Sequence, residues 1–464
     1  MINPRKECHR MNTAARRVIT LGAAVVAVVG MVLAMLFAPR FFTGEPEAFY
    51  TPASAQIAEN APVTVQDLNP DAVMPDTAVF TAQLDAILAD QGDGTKFTAQ
   101  VVDVATGTVL YDKNSTANGT PASSLKVVTA LAAVDVLGAD TQLATSVWLD
   151  GDTLVLRGGG DVLLGDGASD PSSPKGYAGL ATLAEKTAAE LEKRGVDSVK
   201  LWLDDSLFGT AQSNPDWDKS LFTSNNIAPV YPLAHYAGRS SENLASPYQQ
   251  DSAQQARQVF AAALGSSVTV AQGGRGAYEG GEQVAEVRSA PLRDVVKHML
   301  LVSDNYIAET LGRLVALAEG LPPEQAGPAV AKAAGEHGAQ GLALSDASGL
   351  AAANQISPAA LTTVLRSAAT SGKAGLRELV YSLPVAGYNG TLRQRLGGDA
   401  TLGMVRAKTG SLTGVATLTG MTPTKDGRLL AFSIFANQPD GTLAPHKPII
   451  DQAVTAIRGC GCRT

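Results

Sequence analysis

Strand-like runs at both ends of the chain, with helical patterning between them, limit the fold more than any other feature of this 464-residue sequence. On the N-terminal side, "FTAQVVDVATGTVLYDKN" (Phe97–Asn114) reads as two strands joined at Ala105-Thr106-Gly107. Near the C-terminus, "GMVRAKTGSLTGVATLTGMT", a turn at Asp426-Gly427 and "RLLAFSIFAN" read the same way. Helical spacing starts at Pro291 in "PLRDVVKHMLLVSDNYIAETLGRLVALAEG" and continues to about Thr370, and a last helix covers roughly Lys447 to Ile457. Distant strands with helices between them predict one sheet built from both ends of the chain, in a mixed α/β (α+β) fold. With 45% hydrophobic residues the chain can bury a core for more than one lobe.

The second lobe is expected between the two ends. From about Gly138 to Val284, "TSVWLDGDTLVLRGGGD" and "VDSVKLWLDDSLF" read as strands around one clear helix, Leu180–Lys193. Pro171 to Pro174 and "AQGGRGAYEGGE" read as loops. The resulting organisation is a discontinuous main domain, residues 79–137 and 286–464, interrupted by a β-rich insertion domain, residues 138–285.

Residues 1–17 carry five Lys/Arg against one acid, and Val18–Ala38 is a run of 21 residues without charge. That length spans a bilayer as a helix, and the basic flank stays in the cytoplasm. The reading is a cytoplasmic tail (1–17), one N-terminal transmembrane helix (18–38), a Pro/Ala/acid-rich linker (39–78) and the rest of the chain on the extracytoplasmic side. A cleaved signal and a secreted product are the rival reading. Its Ala-x-Ala site, Ala53-Ser54-Ala55, lies well beyond the apolar run, so the anchor is preferred. A net charge of −8 with no basic stripe in the body of the chain argues against a nucleic-acid partner.

Metal and phosphate chemistry find no support. His9, His235, His298, His337 and His446 are scattered and lack ligand spacing, and there is no Walker loop. "GGGD" (Gly158–Asp161) reads as a turn after a strand, and no G-x-S-x-G occurs. Of three cysteines, Cys8 is on the cytoplasmic side and Cys460 and Cys462 belong to the tail, where a bridge across one Gly is possible but strained, so the fold is not expected to depend on disulfides.

What remains is serine served by lysine. In "PASSLKVVTALAAVDVL" (Pro121–Leu137), Ser123 and Lys126 stand three apart where the sequence turns apolar, hence on one face of a starting helix. Serine needs an adjacent base, and lysine is one only if burial or positive charge lowers its pKa. The pattern S-x-x-K recurs at Ser172/Lys175, in the Pro-rich loop. S-x-N occurs at Ser224/Asn226, Ser241/Asn243 and Ser303/Asn305, and only the last lies inside a helical pattern. K-T-G occurs once, at Lys408-Thr409-Gly410, opening a strand.

These three motifs, in one order and on suitable elements, resemble the penicillin-recognising serine acyltransferases, β-lactamases and D,D-peptidases. "SDNYIAETL", "SDASGLAAANQISP", "SLPVAGYNGTL" and "AKTGSLTGVATLTG" are similar to the D-alanyl-D-alanine carboxypeptidase/endopeptidase family, the class C low-molecular-mass penicillin-binding proteins. Ser123 and Ser303 stand 180 positions apart, which fits that family's large insertion, although the insert is shorter than in members with two extra domains. No Glu between Ser303 and Lys408 starts the E-x-x-x-N of a common deacylating β-lactamase.

The resemblance implies a β-lactamase/transpeptidase-like domain acting on peptidoglycan stem peptides, inhibited by β-lactams and needing no cofactor. It implies Ser123 as nucleophile, Lys126 as base, Ser303 as proton relay and Asn305 on the substrate's side amide. Lys408 and Thr409 would hold the terminal carboxylate, and the Ser123 and Ser411 N–H groups would form the oxyanion hole. Gly410 would let the substrate approach the strand. "NPDWDKSLF" (Asn214–Phe222) nominates Asp218 for the diamino-acid side chain, although a solvated loop carboxylate is the preferred reading. Asp346 is read as a cap or turn residue. Two other functions fit the same fold: a β-lactamase, and a catalytically silent wall-binding protein.

Overall fold

A computed structural model describes residues 71–266, 268–438 and 446–460. The run at 18–38, its basic flank and most of the linker lie outside them. Among the described residues no helix is long and apolar enough to cross a membrane.

The described chain opens with α1 (Thr77–Ile87) and the hairpin β1 (Lys96–Asp103) and β2 (Val109–Lys113). A 3₁₀ turn, Ala122–Leu125, leads into α2 (Lys126–Ala132). Then come β3 (Ala144–Asp150), β4 (Thr153–Gly158), α3 (Leu180–Lys193), β5 (Ser198–Asp204), α4 (Ser252–Ala263), β6 (Thr269–Arg275) and β7 (Glu282–Arg288). Five helices follow: α5 (Leu292–Val302), α6 (Asn305–Ala318), α7 (Ala326–Glu336), α8 (Pro358–Thr370) and α9 (Ala374–Tyr381). The hairpins of β8 (Arg406–Leu412), β9 (Val415–Pro423) and β10 (Leu429–Asn437) precede α10 (Lys447–Gly459).

The first sheet has the order β2-β1-β10-β9-β8 and is antiparallel throughout. Distant ends do meet, because Lys96 pairs with Asn437 and Asp103 with Leu430. Alternation sends side chains to two cores. Leu430, Phe432, Ile434 and Ala436 face α1 and α10, together with Phe97, Ala99 and Val101. Ala431 and Phe435 face the helical layer that contains Val128, Leu131, Leu361 and Leu365. The result is a sheet sandwiched between two helical layers, with the nucleophile segment packed on its inner face. Across the sheet's far end, Arg428 pairs with Asp103, both fully buried.

The second sheet has the order β6-β5-β4-β3-β7. The expected β-rich unit needs correction to an α/β unit. Pairs β4/β5 and β5/β6 are parallel, and a parallel pair needs a crossover. Helices α3 and α4 supply the two crossovers, and their Leu183, Ala184, Leu191, Ala256 and Phe260 fill the core against Leu154, Leu156 and Leu201. The Gly-rich stretch read as loop contributes Ala271–Arg275 to β6, where its backbone pairs with β5. Cys460 is buried at the end of α10 and is disulfide-bonded, and Cys8 and Cys462 lie outside the described residues.

Candidate active site

The nucleophile segment is more tightly wound at its start than a regular helix. Ala122–Leu125 is 3₁₀, Lys126–Ala132 is α-helical, and Ala133–Leu137 widens into a π turn. Ala122, directly before Ser123, has φ +47°, a left-handed conformation costing roughly 1–2 kcal/mol in a residue with a Cβ. Neighbouring strands hold it there. Thr417 on β9 donates to the Pro121 carbonyl at 2.8 Å, and Ser124 Oγ lies 2.8 Å from Thr417 Oγ1.

Lys126 is fully buried. Its Nζ donates to Ser123 Oγ at 3.0 Å, Asn305 Oδ1 at 2.6 Å and the Ser348 carbonyl at 2.6 Å. All three acceptors are neutral. Burial lowers the lysine's pKa from 10.5 to about 8, against the more distant charges of Asp346, Asp304 and, once ionised, Glu309, which raise it. A lysine in this state can lose its proton near neutral pH.

Ser303-Asp304-Asn305 departs from expectation. It does not lie inside one helix but at the junction of two. Ser303 ends α5 with φ +60° and ψ +41°, and Asp304 caps α6 by accepting from the Ile307 N–H at 3.0 Å. The helix period runs through the junction, which is why the sequence reads as continuous. The break turns Ser303 toward β8, where Lys408 Nζ donates to its Oγ at 2.8 Å. Asn305, at the first position of α6, accepts from Lys126 and donates to the Asn226 carbonyl at 2.9 Å.

Lys408 is also fully buried, and it donates to the Thr409 carbonyl at 2.8 Å. Burial, then the charge of Lys126, push its pKa well below the usual lysine value. Strand β8 is the edge of the first sheet. Its first half is covered, since Ala407 N–H donates to the Pro384 carbonyl and Ala386 N–H to that of Val405. By strand alternation the N–H groups of Thr409 and Ser411 point to that same outer side, beyond the cover. Thr409 Oγ1 donates to Thr391 Oγ1 at 2.9 Å.

Gly410 has a reason beyond substrate approach. A Cβ there would meet Thr417 Oγ1 at 2.1 Å and the Pro121 carbonyl at 2.6 Å, so the nucleophile turn itself requires glycine. Asp218 is exposed, and its carboxylate accepts from the Ser220 N–H at 2.7 Å, starting the helical turn Ser220–Thr223. The hydrogen bonds from Ser220 lower its pKa. Asp346 is indeed a turn residue, fully buried, taking donors from Gly349, Ala351, Asn354, Ser348 and Trp217.

Sequence reading missed Ser348, Asn226 and Thr391. The first two act through backbone carbonyls, which no residue type signals. The decoy Ser172/Lys175 stays in its loop, with Ser172 Oγ donating to Asp170 at 2.6 Å and Lys175 paired with Glu242.

A serine whose partner is a buried lysine with neutral acceptors, flanked by a Ser-x-Asn turn and a Lys-Thr-Gly edge strand, defines a lysine-assisted serine acyl hydrolase. A family model described as D-Ala-D-Ala carboxypeptidase 3 (S13) matches residues 80–249 and 245–457, and the chain belongs to that family of serine hydrolases. The chain is 34% identical over 464 residues to Carboxypeptidase DacB of Mycolicibacterium smegmatis, covering 95% of this chain and 97% of that one. It is 27% identical to a D-alanyl-D-alanine carboxypeptidase of an Actinomadura species, covering 81% and 83%. The crystal structure of penicillin binding protein 4 from Haemophilus influenzae has the same fold. It gives a TM-score of 0.62 at 22% identity, over 82% of this chain and 98% of that one.

Proposed function

We propose that this chain is a serine D,D-peptidase that hydrolyses D-alanyl-D-alanine bonds of peptidoglycan stem peptides through an acyl-enzyme on Ser123, and that β-lactams acylate the same serine. The observation that carries the reading is the fully buried Lys126 within hydrogen-bond reach of Ser123 Oγ.

Neutral Lys126 takes the Ser123 proton as Oγ attacks the carbonyl between two D-alanines. The developing oxyanion sits between the N–H groups of Ser123 and Ser411. Removing one such donor typically costs about 3–4 kcal/mol. Ser303, which accepts from Lys408, passes its proton to the departing amine and is reprotonated at the expense of the proton held by Lys126, so the C–N bond breaks and Lys126 is neutral again. Lys408 and Thr409 receive the terminal carboxylate, whose negative charge favours the protonated form of Lys408. Asn305 orients the substrate amide. Water then attacks the ester, Lys126 takes the water's proton and returns it to Ser123 Oγ as the C–O bond breaks, and the serine and the neutral lysine are restored.

The test is incubation with labelled penicillin and, separately, with a stem pentapeptide. A stable one-to-one adduct on Ser123 together with D-alanine release is expected. Rapid catalytic destruction of the penicillin, or D-alanine release unchanged in Ser123→Ala, overturns the reading. Membrane attachment through residues 18–38 belongs to the same reading, supported by the uncharged run and its basic flank. Replacing that run with a polar sequence is expected to release the protein from the membrane fraction.

A further inference from the structure

Glu309 is a buried acid that the mechanism above leaves unused. It lies one turn beyond Asn305 on α6, so both project from one helix face toward the nucleophile segment. Its side chain is 2% exposed, and Oε1 accepts from the Ala347 N–H at 3.0 Å. The Ala347 carbonyl in turn accepts from Thr129 Oγ1 on α2 at 2.6 Å. The next residue, Ser348, gives its carbonyl to Lys126 Nζ at 2.6 Å.

We propose that Glu309 is a positioning residue for the general base: acting through Ala347, it fixes the Ser348 carbonyl against Lys126. The inference rests on the functional reading above. The turn 346–349 is clamped from three sides. Asp346 takes five donors from within and beside the turn, Thr129 holds Ala347 from α2, and Glu309 holds it from α6. The fit is close, since a Cβ on Gly349 would lie 2.0 Å from the Ala122 carbonyl. A displaced turn therefore moves both the acceptor of Lys126 and the residue before Ser123.

The protonation state of Glu309 gives this role a second consequence. Burial, then the charge of Asp346, push its pKa up to about 8, so it is a neutral acid at neutral pH. The charged groups facing it are Asp346 on the turn, Arg313 on its own helix and Lys126 across the cleft wall. The α7 face packed against α6 is apolar (Ala326, Ala329, Val330, Ala333). Asp135 in the π turn is engaged with His337 and Lys373. Ionisation of Glu309 would add a negative charge near Lys126 and make the lysine hold its proton. The acid thus restrains the base as pH rises.

The experiment measures the rate of Ser123 acylation by penicillin across pH for the full chain and for Glu309→Ala and Glu309→Gln. Glu309→Ala is expected to lose on the order of tenfold to a hundredfold, the cost of a misplaced catalytic group. Glu309→Gln keeps the volume and an acceptor for Ala347, so it is expected to recover most of that loss. Without an ionisable group its rate should rise with pH earlier than in the wild type. A Gln variant as slow as the Ala variant, or one whose pH profile coincides with the wild type, overturns the proposal. If Glu309→Ala does not fold, the Gln profile decides alone. Wild type that forms no adduct on Ser123 instead refutes the functional reading.

Discussion

Two stretches of this chain share the pattern S-x-x-K, and they share nothing else. At Ser123/Lys126 the lysine is fully buried and meets a hydroxyl, an amide oxygen and a carbonyl. At Ser172/Lys175 the serine is exposed and held by Asp170, and the lysine reaches the carboxylate and the backbone of Glu242. The difference teaches what turns spacing into chemistry. A lysine becomes a base when water is removed from it without a contacting carboxylate to compensate. Three residues of separation supply the contact, and the surrounding fold supplies the pKa.

Each side of that contrast can be broken by substitution. The largest effect is expected for Ser123→Ala. D-alanine release should fall by at least ~10⁴-fold and the penicillin adduct should vanish from the intact mass. Lys126→Met should slow acylation by roughly 10²–10⁴-fold while leaving the fold in place, as read by circular dichroism. In the wild type, acylation should rise as pH passes through about 8, because the base works only after losing its proton. A flat profile through that region would remove Lys126 from the role. Gly349→Ala forces a Cβ onto the Ala122 carbonyl, and glycine here also has φ +86°. It should destabilise by roughly 1–3 kcal/mol in a denaturant titration and slow acylation of whatever remains folded. The smallest effect is expected for Ser172→Ala and Lys175→Ala, within about 0.5 kcal/mol of wild-type stability and with unaltered acylation. A defect there would show that the two stretches are less different than their surroundings make them.

The sequence made the first sheet legible because the apolar pattern of its strands is plain, short runs buried on both faces, and its turn at Asp426-Gly427 carries glycine in the left-handed region. Helix α3 was legible for the same reason, an apolar stripe at helical spacing. The parallel half of the second sheet was not. Parallel pairing depends on crossovers, and α4 lies in a stretch whose apolar residues are mostly alanine, with Phe260 its one large buried apolar side chain. Within the site, Ser123, Lys126, Asn305 and Lys408 announced themselves by type and spacing. The break at Ser303 did not, since Asp304 caps α6 without disturbing the helix period across it. Ser348 and Asn226 were invisible because any residue has a carbonyl. Gly410 was found for one reason and proves necessary for another, its contact with the turn that carries the nucleophile.

The pairing of Lys96 with Asn437 sets an order in time as well as in space. Chain growth supplies the second sheet, complete at Arg288, long before β8–β10 exist. Until they arrive, β1 has only β2 beside it, and the turn around Ser123 lacks Thr417, its clamp from β9. Contacts so far apart along the chain form late in folding. The clamp on the nucleophile turn and the partner of Ser303 thus come from the last strands described, so the site cannot be complete before they are made.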